Sequence, residues 1–269
     1  MTTQTKRKGA RSIKDIPQDI LKKLNLGEIE TANLMEWLAI DTSELLKNLL
    51  NQLKRQDYLK TILSNIDALK KKTINTVNET IGLSFYQLAT ENNDKDFFSL
   101  LSKHTSDSVR CWAAYMIGQN STLEIAQKLS QIAFFAADSH FGVREVSWLA
   151  TRPDIAKSLD KSIEILSKWS VSQDENIRRF ASEATRPRGV WCEHIEILKK
   201  TPALALDILE PLKSDKAKYV QDSVGNWLND ASKTQSEFVK DLCKKWEKES
   251  STKETAYIIK KALRTLQKQ

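Results

Sequence analysis

The tetrapeptide Ala150-Thr151-Arg152-Pro153 returns 34 residues later as Ala184-Thr185-Arg186-Pro187. A segment that repeats at this spacing constrains a fold strongly, because each copy has to belong to one supersecondary unit stacked on its neighbour. A finer pattern keeps the same interval, in which an apolar residue precedes a small or branched one by four positions. Val109 pairs with Ala113, Val143 with Ser147, Ile177 with Ala181, Val220 with Val224 and Ile258 with Ala262, at successive intervals of 34, 34, 43 and 38 residues. Four-residue spacing puts both members on one helix face. An apolar helix precedes each unit, as Ile163, Leu166 and Trp169 precede Ile177, so the unit is a helix pair.

Helix pairs at this period describe an all-α fold, an α–α superhelix (solenoid) of HEAT-like helical repeats. Only 7 Gly and 5 Pro in 269 residues agree with long helices and short turns. Before the repeats, Ile16, Ile20, Leu21 and Leu24, and then Leu45, Leu46, Leu49, Leu50 and Leu53, recur at helical spacing. Gly27 breaks the first run, Asp41-Thr42-Ser43 offers cap chemistry for the next, and a further helix is predicted from about Val77 to Ala89. Residues 12–269 therefore read as a single repeat domain. Residues 1–11 carry Lys6, Arg7, Lys8 and Arg11 without an acid or an apolar pattern, and are expected to be a disordered basic arm.

No apolar run reaches 18 residues and the N-terminus has no apolar core of a signal segment, so a cytoplasmic, monomeric protein with no membrane partner is expected. Cys111, Cys192 and Cys243 are far apart and odd in number, which argues against a disulfide framework and a zinc site. Cys192 and His194 would need two further ligands. Neither a metal nor a cofactor is expected. Lys plus Arg number 42 against 35 acids, net +7 with a pI near 9.1, which is a modest pointer to a polyanionic partner.

The segment Asp174–Cys192 concentrates the chemistry. Its helix has an apolar stripe of Ile177, Phe180, Ala181 and Ala184, a Thr-Arg-Pro stop, and Trp191 beyond it. Advancing 100° per residue from each anchor, positions +2, +6 and +9 point away from the buried stripe. They read Cys111, Tyr115, Gly118; Glu145, Leu149, Arg152; Arg179, Glu183, Arg186; Asp222, Asn226, Asn229; and Lys260, Arg264, Gln267. If second helices line a groove, that groove mixes arginines and lysines with carboxylates. Carboxylates repel a phosphate backbone, so Glu145 and Glu183 need another reason: local pairing such as Arg179 with Glu183, or chemistry on a sugar. The wheel puts Trp112 and Trp227 in the core and Trp148 outside, and leaves the facing of Asp230 open.

The run from Ile177 to Arg188 with Trp191 (IRRFASEATRPR…W) resembles the signature of the AlkC branch of HEAT-like repeat DNA glycosylases, relatives of AlkD. Gly27–Asp41, Ser223–Lys233 and Ile258–Leu266 agree with it. The resemblance is to the branch without an extra immunoglobulin-like domain. It implies a monofunctional, metal-independent glycosylase acting on double-stranded DNA that contains cationic alkylated bases, 3-methyladenine and also 3-methylcytosine. By motif position it implies Glu145, Glu183 and Asp230 as catalytic carboxylates and Trp191 beside the lesion. Phe141, four residues before Glu145, and Trp148 complete the expected stacking set. Arg144, Arg152, Arg178, Arg179, Arg186, Arg188, Lys260 and Arg264 are the expected DNA contacts. Two other readings compete: a non-catalytic repeat protein that binds bent or branched DNA, and a protein scaffold in which the arginines are solvated charge.

Overall fold

The computed structural model describes residues 7–268. Among the described residues there are helices and turns but no strand, as the repeat pattern predicts. The α-helices are α1 (Gln18–Asn25), α2 (Leu34–Ala39), α3 (Thr42–Gln52), α4 (Tyr58–Asp67), α5 (Ile74–Glu91), α6 (Phe97–Ser102), α7 (Asp107–Gln119) and α8 (Ile125–Ala136). Next come α9 (Phe141–Lys157), α10 (Leu159–Trp169), α11 (Glu175–Ala184), α12 (Glu196–Lys200), α13 (Leu206–Leu209), α14 (Lys218–Ser232), α15 (Ser236–Glu249) and α16 (Lys253–Leu263). No helix among the described residues is long and apolar enough to cross a membrane.

The chain divides into two compact units where the sequence suggests one repeat domain. The first holds the chain up to Ser121 together with Ser139–Ala150, and the second holds Thr122–Asp138 and everything from Thr151 onward. The repeat anchors explain the core of both. Val109, Val143, Val220 and Ile258 are fully buried with their partners four residues on. Ile177 is half-buried, and Phe180 takes its place in the core against Trp169, ring centroids 5.1 Å apart.

In the first unit α5 packs on α4 and α7. Its centre is an aromatic chain in which Tyr58 and Phe85 both meet Phe97 edge-on, at 5.5 and 5.0 Å, and Phe85 meets Trp112 at 5.8 Å. Such pairs add about 0.5–1.5 kcal/mol each beyond area burial. The Trp112 indole donates to Asn78 Oδ1 at 2.7 Å, so its polar edge is satisfied inside the core. Gly27 turns the chain with φ +72°, a left-handed conformation that a side chain disfavours. Asp41 caps α3, accepting from the Ser43 and Glu44 amides at 3.0 Å.

Of the expected arm, residues 1–6 lie outside the described residues. From Arg7 the chain is anchored, which departs from an arm reaching Arg11: Arg7 makes a bidentate pair with Glu36 at 2.6 Å, and Asn33 donates to the Ala10 carbonyl at 2.7 Å. Glu36 is buried on α2, and a buried carboxylate needs such a partner. The predicted Val77–Ala89 helix extends to Ile74–Glu91 because Thr73 and Thr76 form a capping box.

The second unit is built on α14, which packs between α11 and α16. Here the two copies of the tetrapeptide part ways. Helix α11 ends at Ala184, whereas α9 runs through Pro153 to Lys157. The residues after each proline decide the difference. Asp154-Ile155-Ala156-Lys157 supplies two helix formers in Ala156 and Lys157, a fully buried Ile155 and an ion pair from Asp154 to Lys128 at 2.6 Å, while after Arg188 come Gly189, a poor helix former, and an exposed Val190.

Candidate active site

Asp174 starts α11 by accepting the Asn176 amide at 2.7 Å, and the helix then presents Arg179, Glu183 and Arg186 toward α14. These three, expected to face outward, are buried. A single helical wheel ignores the next repeat. In the second unit, the side chains pointing away from the stripe of α11 meet the flank of α14, and those of α14 meet α16. Glu183 accepts from Ser223, Arg186 reaches Asp230, and Asn229 donates to Thr265 and to the Ala262 carbonyl.

The result is an ionic cluster. Arg186 donates through Nη1 to Glu183 Oε1 at 2.7 Å, and through Nε and Nη2 to Asp230 Oδ2 at 3.0 and 2.6 Å. Glu183 Oε2 accepts the Ser223 hydroxyl at 2.7 Å, and Arg179 Nη2 stands 3.6 Å from the same oxygen. Lys233 donates to Asp230 Oδ1 at 3.0 Å. Burial opposes ionisation of Glu183, but Arg179, Arg186 and the Ser223 hydroxyl outweigh it and hold the carboxyl below its ordinary range. Burial likewise pulls the Arg186 guanidinium down, and the two carboxylates more than restore it. The cluster therefore holds Glu183 ionised between Arg179 and Arg186, and Asp230 between Arg186 and Lys233.

Arg152, an expected DNA contact, is also buried. Its guanidinium donates to three main-chain carbonyls: Ala184 at 2.8 Å, Arg186 at 2.6 Å and Glu193 at 3.2 Å. Arg178 is engaged with Asp215 in a two-point pair at 2.6 and 3.0 Å. Arg179 lies over the Tyr219 ring, 4.7 Å from its centroid. Arg188 is half-buried, while Lys260 and Arg264 are exposed on α16, Arg264 donating to Asn226 at 2.8 Å. Trp191 is 80% exposed and has φ +61°, while Trp227 is core and donates to the Thr185 carbonyl at 3.0 Å.

Glu145, Phe141, Arg144 and Trp148 belong to the first unit. Trp148, expected outside, is only 4% exposed, and its indole donates to Glu145 Oε2 at 2.8 Å. It holds the carboxylate instead of offering a stacking face. Phe141 lies beside His140, ring centroids 4.6 Å apart, on a cavity of about 770 Å³ also lined by Arg110 and Arg144. That cavity rests on a buried node. Asp107 accepts the Thr31 amide and hydroxyl at 2.9 and 2.8 Å, and His140 Nε2 lies 2.7 Å from the Thr31 carbonyl. The Gly142 amide donates to His140 Nδ1 at 3.1 Å. Among the described residues, no group of three or more His, Cys, Asp and Glu is arranged to hold a metal ion.

Sequence reasoning missed Ser223, Trp148 as the partner of Glu145, and the carbonyl grip of Arg152. Ser223 carried a signal: it sits three residues after Val220, on the stripe expected to be buried, where a hydroxyl requires a partner.

Residues 148–266 match the model of the DNA alkylation repair enzyme family. The alkylpurine DNA glycosylase AlkC of Pseudomonas fluorescens, solved bound to DNA containing an abasic-site analogue, superposes with a TM-score of 0.67 at 21% identity, covering 97% of this chain and 66% of that one. The chain has the helical-repeat fold of that structure. AlkD2 of Streptococcus mutans shares the fold with a TM-score of 0.60 at 25% identity, covering 77% of this chain and 97% of that one. The uncharacterized protein YhaZ of Bacillus subtilis (strain 168) is 41% identical over 122 residues, 45% of this chain and 34% of that protein. The chain thus spans about a third of that relative and just under two thirds of the AlkC chain. The family match contains Glu183, Asp230, Arg186 and Trp191, so the ionic cluster lies in its most family-like part.

Proposed function

We propose that this protein is an AlkC/AlkD-type DNA glycosylase that hydrolyses the N-glycosidic bond of cationic alkylated bases, 3-methyladenine first and 3-methylcytosine as a second substrate. The observation that carries the reading is the Glu183–Arg186–Asp230 cluster. An arginine holds two buried carboxylates in place, and Glu183 is kept ionised. A base that is already cationic leaves without protonation, so the enzyme's task is to stabilise the oxocarbenium-like sugar and to orient water. Glu183 and Asp230 supply fixed negative charge. Glu145, steadied by the Trp148 indole, is the carboxylate assigned to the water. Trp191 offers an exposed indole for stacking beside the lesion, and Phe141 is the aromatic of the first unit. The AlkC neighbour is described as an alkylpurine DNA glycosylase bound to DNA, which supports a duplex DNA partner.

The test is release of 3-methyladenine from N-methylated duplex DNA by the purified chain. Release by the wild type, with a strong loss in Glu145→Gln and Asp230→Asn while DNA binding persists, is expected. Salt-dependent binding to bent or branched DNA without any base release would assign the protein to DNA-structure binding instead.

A further inference from the structure

The loop after α11 carries Trp191 with its backbone in the left-handed region at φ +61°, where a side-chain-bearing residue persists only when its surroundings enforce it. The enforcing contacts are visible. The Ile195 amide donates to the Pro187 carbonyl at 3.0 Å and closes the loop. Arg152 spans its mouth, taking the Arg186 carbonyl on one side and the Glu193 carbonyl on the other, while Nη1 takes the Ala184 carbonyl at the end of α11. A cation there satisfies carbonyls that the helix leaves unpaired. The tip rests on the same guanidinium. A Cβ added to Gly189 would lie 3.2 Å from Arg152 Cζ and 2.2 Å from Cys192 Sγ. Burial lowers the Arg152 pKa, and the neighbouring acids do not fully restore it; a group placed to grasp phosphate from solvent would not be so enclosed.

We infer that Arg152 is a positioning residue: by gripping the Arg186 main chain and the two ends of the loop, it fixes Trp191 relative to the cluster that Arg186 forms with Glu183 and Asp230. Arg186 is the shared part, its carbonyl held by Arg152 and its guanidinium by the carboxylates. A phosphate-binding arginine and a positioning arginine differ in what their loss changes. Losing a phosphate ligand lowers the salt dependence of DNA binding, by about 0.9 in the slope of log K against log salt. Loss of the grip leaves that slope unchanged and frees the loop.

The activity part rests on the glycosylase reading, and the other readouts do not. Arg152→Ala, Arg152→Lys and Gly189→Ala are compared with wild type for Trp191 fluorescence, isolated as the difference from the same protein carrying Trp191→Phe. Measured alongside are the anisotropy of that emission, tryptic cleavage after Arg188, the salt slope on duplex DNA, and base release from N-methylated DNA. Arg152→Ala and Gly189→Ala are expected to lower the fluorescence anisotropy of Trp191, whose indole is already 80% exposed, and to speed cleavage several-fold, with the slope unchanged and Arg152→Lys intermediate. In a releasing enzyme kcat falls about a hundredfold, the scale of a misplacement near 1 Å, with KM nearly constant. Gly189→Ala leaves the carbonyl grip chemically intact, so it reports the loop even where Arg152→Ala fails to fold. Unaltered Trp191 anisotropy and cleavage in Gly189→Ala and Arg152→Lys, or a slope falling by about one in Arg152→Ala, would overturn the proposal. Absence of base release in the wild type would overturn only the glycosylase reading.

Discussion

Arg186 and Asp230, 44 residues apart in sequence, are joined through two nitrogens onto one carboxylate oxygen, at 3.0 and 2.6 Å, with both side chains buried. Buried pairs of this kind cost much to break, because the surviving partner is left charged without compensation. Arg186→Met removes the cation that Glu183 and Asp230 share, leaving Glu183 to Arg179 and Ser223 and Asp230 to Lys233. It should lower the unfolding free energy by about 3–5 kcal/mol, measured as the shift in urea midpoint at constant m-value.

Glu183 makes stability depend on acid. A carboxyl held below its unfolded value of about 4.3 contributes stability above that pH and loses it as pH falls through the folded value. The difference in stability between wild type and Glu183→Gln should therefore be largest near neutral pH and shrink below about pH 4.5. Urea midpoints measured across that range test this. A difference that stays constant down to the lowest accessible pH would show that Glu183 is not the ionised partner.

Of the proposed catalytic carboxylates, Glu145 is held by the Trp148 indole, whereas Asp230 also pairs with buried Arg186, so its variant is read with stability measured alongside. Glu145→Gln and Asp230→Asn should lower single-turnover release of 3-methyladenine by about 10²–10³-fold, the scale of removing one preorganised charge or donor. Trp148→Phe, which deletes only the indole donor to Glu145, should lower release by a smaller factor. Affinity for methylated duplex is expected to change little in all three.

Trp191 has few structural obligations, being 80% exposed. Trp191→Ala should leave stability within about 0.5 kcal/mol of wild type and weaken DNA binding by about 1–3 kcal/mol, the value of one stacked base. Trp191→Gly should lose the same affinity while raising the melting temperature, since glycine accepts φ +61° without the cost of about 1–2 kcal/mol that a side chain incurs there.

Lys260 and Arg264 are the expected DNA contacts that are exposed. Lys260→Ala and Arg264→Ala should each reduce the salt slope of DNA binding by about 0.9, as read by anisotropy titrations. An unchanged slope in both would remove α16 from the interface.

The order of helices was legible because burial has a period. Val109, Val143, Val220 and Ile258 each carry the four-residue signature of a buried face, and each is fully enclosed. The Asp41 cap and the Gly27 break were legible for the same local reason, since cap and turn chemistry act within a few residues. Burial of the polar row was not. The wheel of α11 places Arg179, Glu183 and Arg186 outside, which holds for an isolated helix. Their actual surroundings are side chains about 40 residues away.

Sequence alone thus determined the all-α repeat, its core stripes and the residue types gathered on the second helices, because helix periodicity and capping are short-range physics. Only the tertiary structure decided that Glu183 and Asp230 share Arg186, that the Trp148 indole turns inward onto Glu145, and that Arg152 holds carbonyls. A buried charge is settled by whichever partner the fold brings within about 3 Å, since charge-assisted hydrogen bonds act only at that range. The two copies of Ala-Thr-Arg-Pro show the limit: one continues as helix and the other opens into the Trp191 loop. The residues C-terminal to each proline, and the apolar surface they can bury, make the difference.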